Sequence, residues 1–192
     1  CDENLEIAQI LNADVDNDRK KELVVNLTCN EMDALHGHHM YLLILKRLQN
    51  TKWVLEFIYD YDASYSNITL DDLEKDGEQE ILIRANRGLG GGSGGSSKGI
   101  YDAYIKCDQT ECKESFSFSQ FHIGHYRNYS VDNIRGVFPT ANHLYSAEAE
   151  VLENGNILTT SSSIIWVDEN IKLFKETRTV YELNGLEYQK SY

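Results

Sequence analysis

The sequence predicts a mainly β protein, with antiparallel sheets in a propeller-like or sandwich arrangement. Short apolar runs rich in β-branched and aromatic residues recur along the 192 residues, separated by Asn, Asp and Gly. The runs "FSFSQF" (116–121) and "RTVYEL" (178–183) alternate between apolar and polar residues, as half-buried strands do. Asn154-Gly155 and Asn184-Gly185 are typical of tight hairpin turns.

The apolar runs give the predicted strands in chain order. The run at 39–48, "HMYLLILKRL", also has helical periodicity, but the short connection "LQNTKW" to the next run is typical of a hairpin. We therefore expect an N-terminal tether over residues 1–10 and a single β domain over 11–192. The predicted strands lie at 5–11, 39–48, 53–61, 80–85, 100–107, 116–123, 143–152, 157–167 and 171–183.

The composition limits the kinds of partner. The formal net charge is −13, so nucleic acid is not an expected partner, because binding phosphates requires clustered Lys and Arg. The acidity favours a basic protein or bound cations, although it is also common in soluble proteins. The sequence contains no apolar run of about 18 residues, the length that spans a membrane as a helix.

The cysteines favour an exported protein. Mature bacterial lipoproteins begin with a lipid-modified cysteine, so Cys1 is the predicted lipid-attachment site, although trimming of the chain would also leave a cysteine first. The predicted location is the periplasm, with a lipid anchor in the membrane. Cys107 and Cys112 are close enough to form a disulfide across a hairpin turn, which would leave Cys29 free or paired with an unlipidated Cys1.

An internal repeat joins two acidic segments. "NADVDNDRKKELVVNL" (12–27) aligns with "LDDLEKDGEQEILIRA" (70–85), and each copy is an acidic loop followed by a Glu and a short β-type run. The carboxylates recur at every second position, which suits a hard cation that takes six to eight oxygen ligands. The aligned carboxylates are those of Asp14, Asp16, Asp18 and Glu22 in the first copy and Asp72, Glu74, Asp76 and Glu80 in the second.

We expect calcium in at least one of these loops, and preferentially in the first, which carries three Asp residues. Gly77 would ease the turn of the second loop, whereas Arg19 stands at that position in the first. The alternative is a pair of polar hairpin turns whose Asp side chains accept hydrogen bonds from backbone amides.

Both acidic segments resemble a known repeat. "DVDNDRKKELVV" and "DLEKDGEQEILI" are similar to the D-x-D-x-D-G-x-x-E-hydrophobic motif of FG-GAP/VCBS-type repeats. The resemblance implies β-propeller blade units that often bind calcium. Two copies are too few for a closed propeller, so it implies a smaller propeller-like or sandwich assembly.

The segment "GLGGGSGGSSKG" (88–99) lies between two predicted strands. Glycine-rich backbone adopts turns that other residues cannot, and it lets a partner approach the main chain closely. The alternative is a flexible surface connection, natural or engineered. The segment lacks the G-x-x-x-x-G-K-[ST] pattern and precedes a strand, so a phosphate site is not expected.

The leading Cys, the acidic loops, the β character and this glycine segment together resemble a family. They are similar to immunity lipoproteins that protect bacteria from peptidoglycan-hydrolysing toxins of type IV secretion systems, which are themselves similar to periplasmic inhibitors of i-type lysozymes. The resemblance covers residues 10–107. It implies no enzymatic activity and a lysozyme-like peptidoglycan hydrolase as partner. The implied inhibitory loop comprises Gly90, Gly91, Gly92, Ser93, Gly94, Gly95 and Ser96, with Tyr101 beside it.

The inhibitory mechanism that we expect is steric and polar. A side-chain-poor loop enters the sugar-binding groove, and Ser93 or Ser96 donates hydrogen bonds to the two catalytic carboxyl groups of the enzyme. Tyr101 and Tyr104 would form an aromatic edge of the contact, or else pack within a strand.

Two other interpretations remain open. One is a calcium-dependent surface adhesion or carbohydrate-binding β module, and the other is a secreted hydrolase. Neither the histidines of "HGHH" (36–39), His122 and His125 nor Ser163 stands in a metal-ligand or nucleophile motif that would favour an enzyme.

Overall fold

The described residues of the computed structural model are 5–29, 38–48, 52–63, 65–89, 95–126, 141–167 and 170–191. Every regular element within them is a β-strand, and no helix in these ranges is long and apolar enough to cross a membrane. The strands are β1 (Leu5–Ala13), β2 (Glu22–Cys29), β3 (His38–Leu48), β4 (Lys52–Ala63), β5 (Tyr65–Asp71), β6 (Glu80–Leu89), β7 (Gly95–Cys107), β8 (Cys112–Tyr126), β9 (Ala141–Val151), β10 (Ile157–Val167), β11 (Asn170–Asn184) and β12 (Glu187–Lys190).

The strands form three up-and-down antiparallel units of four. Unit 1 is the separate sheet β1–β2–β3–β4, unit 2 is β5–β8, and unit 3 is β9–β12. Units 2 and 3 join into one eight-stranded sheet because Phe121–Tyr126 of β8 pairs with Ala141–Ser146 of β9. The prediction of a mainly β, antiparallel protein is confirmed. Residues 5–10 belong to β1, so the β domain includes a stretch that the sequence had assigned to a tether.

The main core lies between units 1 and 2. Apolar side chains of β2, β3 and β4 pack against those of β6 and β7, and most are fully buried. Leu42 and Ile44 of β3 are wholly inaccessible to solvent, so truncating either to Ala should cost roughly 2–5 kcal/mol of stability. The core includes Val24, Met40, Leu42, Ile44, Tyr61, Ile68, Ile81, Ile83, Ala103 and Ile105.

A second core covers the opposite face of unit 2. Leu82, Tyr104 and Phe116 point away from unit 1 and pack against Ile157 and Tyr188 of unit 3. The Phe116 ring meets the Tyr188 ring edge-on, with ring centroids 5.9 Å apart. Since unit 2 is covered on both faces, its strand β6 reads as a continuous apolar run, without the alternation of a half-exposed strand.

A buried polar network joins units 1 and 2 beside the main core. Asn26 donates from Nδ2 to Ser66 Oγ at 2.8 Å, and the Tyr61 hydroxyl donates to Asn26 Oδ1 at 2.7 Å. Gln9 of β1 bonds both backbone polar groups of Ile68 on β5, the edge strand of the eight-stranded sheet. These contacts satisfy polar groups that would otherwise be buried without partners.

Two sequence signals at turns are confirmed. Gly155 and Gly185 lie between β9 and β10 and between β11 and β12, with φ of 82° and 67°. Residues other than glycine rarely adopt this left-handed conformation, which explains the Asn-Gly pairs. The sequence analysis did not identify β5, whose polar positions in "YSNITLD" include the buried Ser66.

The disulfide predicted between Cys107 and Cys112 is confirmed, and it links the end of β7 to the start of β8. Cys29 is disulfide-bonded as well, so of the two alternatives for this residue, free or paired, the structure has the paired one. Cys1 lies outside the described residues.

Candidate metal centre

The loop between β1 and β2 brings three Asp carboxylates together. One oxygen from each of Asp14, Asp16 and Asp18 lies within 4.8 Å of the others. Asp16 is buried, and its two neighbours are partly buried. A group of carboxylate oxygens this close repels itself unless a positive charge lies nearby, so the cluster could hold a metal ion.

Each of these carboxylates gives one oxygen to the backbone of the loop. Asp14 Oδ2 accepts from the Arg19 amide at 2.9 Å, Asp16 Oδ1 accepts from the Asp18 amide at 3.1 Å, and Asp18 Oδ1 accepts from the Lys20 amide at 2.8 Å. The backbone bonds fix the carboxylates in place and leave the second oxygen of each for another partner.

Glu22 closes the loop at the first residue of β2. Its side chain is wholly buried, and its Oε2 accepts from the Val15 amide at 3.0 Å. Glu22 Oε1 and Asp14 Oδ1 are buried oxygens with no hydrogen-bond partner among the described residues. Burial, and then the neighbouring carboxylates of Asp16 and Asp18, raise the pKa of Glu22. Buried acceptors without donors are what a bound cation would satisfy.

A lysine from β3 supplies positive charge to this loop. The ammonium of Lys46 binds Asp16 Oδ2 and lies 3.4 Å from Asp18 Oδ2 and 3.8 Å from Glu56 Oε1. The hydrogen bond to Asp16 raises the pKa of Lys46 against the opposing effect of burial. Lys46 therefore competes with any metal ion for the oxygens of Asp16 and Asp18.

The second acidic loop, between β5 and β6, repeats the backbone geometry of the first. Gly77 donates to Asp72 Oδ2 at 3.0 Å, Glu78 donates to Asp76 Oδ1 at 2.8 Å, and Leu73 donates to Glu80 Oε2 at 2.9 Å. These bonds correspond one for one to those from Arg19, Lys20 and Val15. The repeat read from the sequence is therefore also a structural repeat, and each loop joins the first and second strands of its unit.

The residues with positive φ also occupy equivalent positions in the two acidic loops. Asn17 and Lys75 both have φ of 58°, and Arg19 and Gly77 have φ of 67° and 91°. Arg19 thus takes the turn conformation for which glycine is suited, at the cost of strain that Gly77 avoids.

A buried lysine fills the second loop. Lys106 Nζ lies 2.8 Å from Glu74 Oε2, 3.6 Å from Glu80 Oε1 and 3.8 Å from Asp76 Oδ2. Burial raises the pKa of Glu80 to about 7, against the opposing effects of the Leu73 amide and Lys106. Among the described residues, the metal-type grouping of carboxylate oxygens includes the three Asp residues of the first loop and none of the predicted ligands in the second.

Sequence reasoning missed both lysines. Each lies on the third strand of its unit, far along the chain from its loop, and strand register brings it next to the Glu that ends the loop. Leu23 pairs with Leu45, one step from Glu22 and Lys46, and Ile81 pairs with Ile105, one step from Glu80 and Lys106. The available signal was a lysine that interrupts a strongly apolar run, in "LLILKRL" and "YIKC".

The strand ends that flank the predicted inhibitory loop lie at the other end of unit 2. Gly90–Gly94 fall outside the described residues, whereas Gly95 and Ser96 are the first residues of β7. The flanking strands pair as far as Leu89 and Ser97. Tyr101 packs against the main core and interacts with Tyr59, and Tyr104 lies in the second core, which is the packing alternative for both tyrosines.

The histidines form no metal-type group within the described ranges. His39 Nδ1 lies 3.0 Å from Asp62 Oδ1, and both side chains are exposed. His36 and the side chains of His38, His122 and His125 lie outside what the structure describes.

No protein-family model, curated protein or solved structure matches this chain.

Proposed function

We propose that this protein is an exported inhibitor that blocks a lysozyme-like peptidoglycan hydrolase with its Gly/Ser loop, residues 90–96. The observation that supports the proposal is the length of the β6–β7 ladder. Ala85 of β6 is buried and Asn86 is exposed, and the ladder continues through four further pairs, from Asn86–Ile100 to Leu89–Ser97.

The ladder makes a firm support for such a loop. β8 pairs with β7 as far as Gly95–Tyr126, so the hairpin is braced on one side by a third strand. Antiparallel pairing restrains the backbone on both sides of the loop, which reduces the entropy lost when a partner binds. A loop made of glycine and serine then offers backbone amides and hydroxyls without bulky side chains.

The chemistry of the partner follows from these groups. A lysozyme-like cleft contains two carboxyl groups, and amide N–H and Ser hydroxyl groups are the donors that carboxylates accept. The net charge of −13 would speed encounter with a basic hydrolase and repel an acidic one. The protein itself takes no part in bond cleavage in this proposal.

We assign calcium to the first acidic loop as a structural ion. Asp14, Asp16, Asp18 and Glu22 supply its oxygens, and Lys46 substitutes for it when calcium is absent. Calcium would not hold the Gly/Ser loop directly, because the first acidic loop belongs to unit 1 whereas β6 and β7 of unit 2 flank the Gly/Ser loop. In unit 2 the acidic loop and the Gly/Ser loop lie at opposite ends of β6, about 30 Å apart at roughly 3.3 Å per residue.

Export is supported by the disulfides. Cys107–Cys112 and the bonded Cys29 belong in an oxidising compartment such as the periplasm. The intact mass of protein purified from membranes tests the lipid anchor. Added acyl mass would support a lipidated Cys1, and a mass two hydrogens lower per disulfide without acyl mass would rule the anchor out.

The test of the loop is a pair of matched substitutions. Ser93→Trp places a bulky side chain in the loop, and Glu153→Trp places the same side chain on an exposed turn at the opposite end of the eight-stranded sheet. In a cell-wall lysis assay with a hydrolase that the wild-type chain inhibits, Ser93→Trp should weaken inhibition at least about 100-fold and Glu153→Trp should not. Equal inhibition by both variants would remove the role of the loop.

A calcium-dependent carbohydrate-binding module is the second candidate function, and the grouped Asp residues of the first loop favour it. Binding to peptidoglycan fragments that is lost on adding a chelator, without inhibition of any hydrolase, would support this candidate over the first.

A further inference from the structure

The outward face of unit 1 is apolar, and its described side chains are exposed or half-buried apart from Val25, which is 6% exposed. Strand register places its side chains on one face, because Ile10 pairs with Val25, Val25 pairs with Leu43, and Leu43 pairs with Ile58. Four of its side chains are at least half exposed: Ile7 at 63%, Ile10 at 50%, Leu55 at 51% and Ile58 at 54%. We call this surface the outer face; it comprises Ile7, Ile10, Leu23, Val25, Leu27, Leu43, Leu45, Leu55 and Ile58.

The internal repeat identifies the face of unit 2 that is equivalent to the outer face. Leu23 and Val25 in unit 1 correspond to Ile81 and Ile83 in unit 2, since both pairs follow the Glu that ends the acidic loop. In unit 2 those residues are fully buried against unit 1. The outer face of unit 1 is therefore equivalent to the face of unit 2 that packs against unit 1.

The opposite end of the stack is different. Strand register places the exposed charged side chains of Glu148, Glu150, Glu176 and Arg178 on the outward face of unit 3, together with the exposed Phe174. A charged terminal face ends a stack of repeats, because no further unit can pack on it without burying charge. The molecule is thus capped at unit 3 and uncapped at unit 1.

We infer that two copies of this chain pack through their outer faces to form a twofold dimer. A head-to-tail arrangement would bury the charges of unit 3 against apolar side chains, so it is disfavoured. Face-to-face packing of unit 1 on unit 1 covers both apolar faces, and it leaves the charged unit 3 faces at the two ends. Such an isologous contact closes on itself, so it gives a dimer and not a fibre.

Polar groups at the edges of the outer face agree with this arrangement. Arg47 and Trp53 pair at one end of the face, and Asp60 lies at the other end of β4, paired with Tyr41. A twofold axis in the interface plane and across the strands brings Arg47 of each copy near Asp60 of the other. An apolar centre with a polar rim is the usual anatomy of a protein interface.

The size of the face sets the expected strength. Four strands at about 4.8 Å spacing and roughly 30 Å of strand length give an area on the order of 500 Å² per copy. This lies at the low end for specific interfaces, so the dimer should dissociate in the micromolar range and not at nanomolar concentration.

Sedimentation equilibrium of the full chain between about 1 and 500 μM tests the dimer. The wild type should shift from the 22.0 kDa monomer to twice that mass, and Ile10→Glu/Ile58→Glu should stay monomeric throughout. Phe174→Glu is the matched control: Phe174 is 61% exposed on unit 3, and this variant should dimerise as the wild type does.

The inference fails if the wild type stays monomeric up to 500 μM, or if Phe174→Glu abolishes association as fully as the double variant. A monomer that instead binds phospholipid vesicles through Ile10 and Ile58 would also overturn it. Far-UV circular dichroism checks that the double variant is folded. If it is not, Ile58→Ser alone should weaken association at least about tenfold, and an unchanged dissociation constant would count against the dimer.

Discussion

Lys46 and Lys106 occupy equivalent positions in two successive four-stranded units, each beside the acidic loop that joins the first two strands of its own unit. Lys46 contacts the carboxylates of Asp16 and Asp18, and Lys106 contacts those of Glu74 and Glu80. The side chain of Lys46 is 24% exposed and that of Lys106 is 11% exposed. We therefore expect Lys46 to be displaced by a cation more readily than Lys106.

Calcium should stabilise the protein through the first loop. At a calcium concentration about 100 times the dissociation constant, ligand binding adds about 2.7 kcal/mol of stability. For a chain of this length, that gain corresponds to a rise in melting temperature of roughly 5–10 °C. Asp14→Asn should abolish the rise, and the equivalent change in the second loop, Asp72→Asn, should preserve it. Differential scanning calorimetry with calcium and with a chelator measures the rise in melting temperature. An equal rise in both variants would contradict the assignment of calcium to the first loop.

Removal of the competing ammonium should strengthen calcium binding. In Lys46→Met, Asp16 loses its counter-ion and Asp18 keeps only the exposed Lys20, whose Nζ lies 3.0 Å from Asp18 Oδ2, so calcium affinity should rise by about tenfold, which is 1.4 kcal/mol. The calcium-free variant should be less stable than the wild type, because Asp16 is then a buried carboxylate without a counter-charge. Isothermal titration calorimetry measures the affinity, with Lys175→Met, an exposed position on β11 of unit 3, as control. Weaker binding by Lys46→Met would show that Lys46 does not compete with the metal.

Substitutions at the equivalent left-handed positions of the two acidic loops should change the stability of the protein in opposite directions. Arg19→Gly relieves a strained conformation at an exposed position and should stabilise the protein by about 1 kcal/mol. Gly77→Ala imposes the same strain and should destabilise it by a similar amount, although a Cβ at Gly77 would meet no atom within 4 Å. Urea unfolding of both variants checks the signs, and a stabilising Gly77→Ala would be inconsistent with strain at this turn.

Glu80 should make stability depend on pH. Burial raises its pKa from the ordinary 4.5 to about 7, so the protonated form is favoured in the folded state. Its contribution to stability is complete below pH 4.5 and is lost as the pH rises through 7. The loss is on the order of 3 kcal/mol.

The matched variants for this pH dependence are Glu80→Gln and the exposed Glu78→Gln. In chelator, the fall in the free energy of unfolding between pH 4.5 and 7 should be shallower in Glu80→Gln than in the wild type. Glu78→Gln should follow the wild type. If Glu80→Gln keeps the full slope, another group causes it.

The sequence predicted the acidic loops because their chemistry is local. Asp14, Asp16 and Asp18 bond the amides of their own loop, so spacing along the chain was enough to recognise them. The positions of Lys46 and Lys106 could not be predicted in this way, since they depend on the register of the third strand against the second. The family resemblance implied Tyr101 beside the binding loop, with packing in a strand as the alternative, and its position on β7 directs it against the main core.

The order in which the units pack on one another could not be predicted from the sequence pattern either. The run Ile81–Ile83 lies in a strand that packs against another unit on both faces, whereas in the similar run Leu23–Val25 only Val24 belongs to a core between units. Local sequence cannot distinguish the two cases, because the difference lies in which unit packs on each face.

The account depends most on inhibition by the wild-type chain. The decisive measurement is the lysis of purified peptidoglycan by c-, g- and i-type lysozymes and a bacterial lysozyme-like hydrolase, each titrated with the chain in calcium. We predict stoichiometric inhibition of at least one of these enzymes and no lysis by the chain alone. Full activity of every enzyme at a large excess of the chain, or lysis by the chain by itself, would contradict the account.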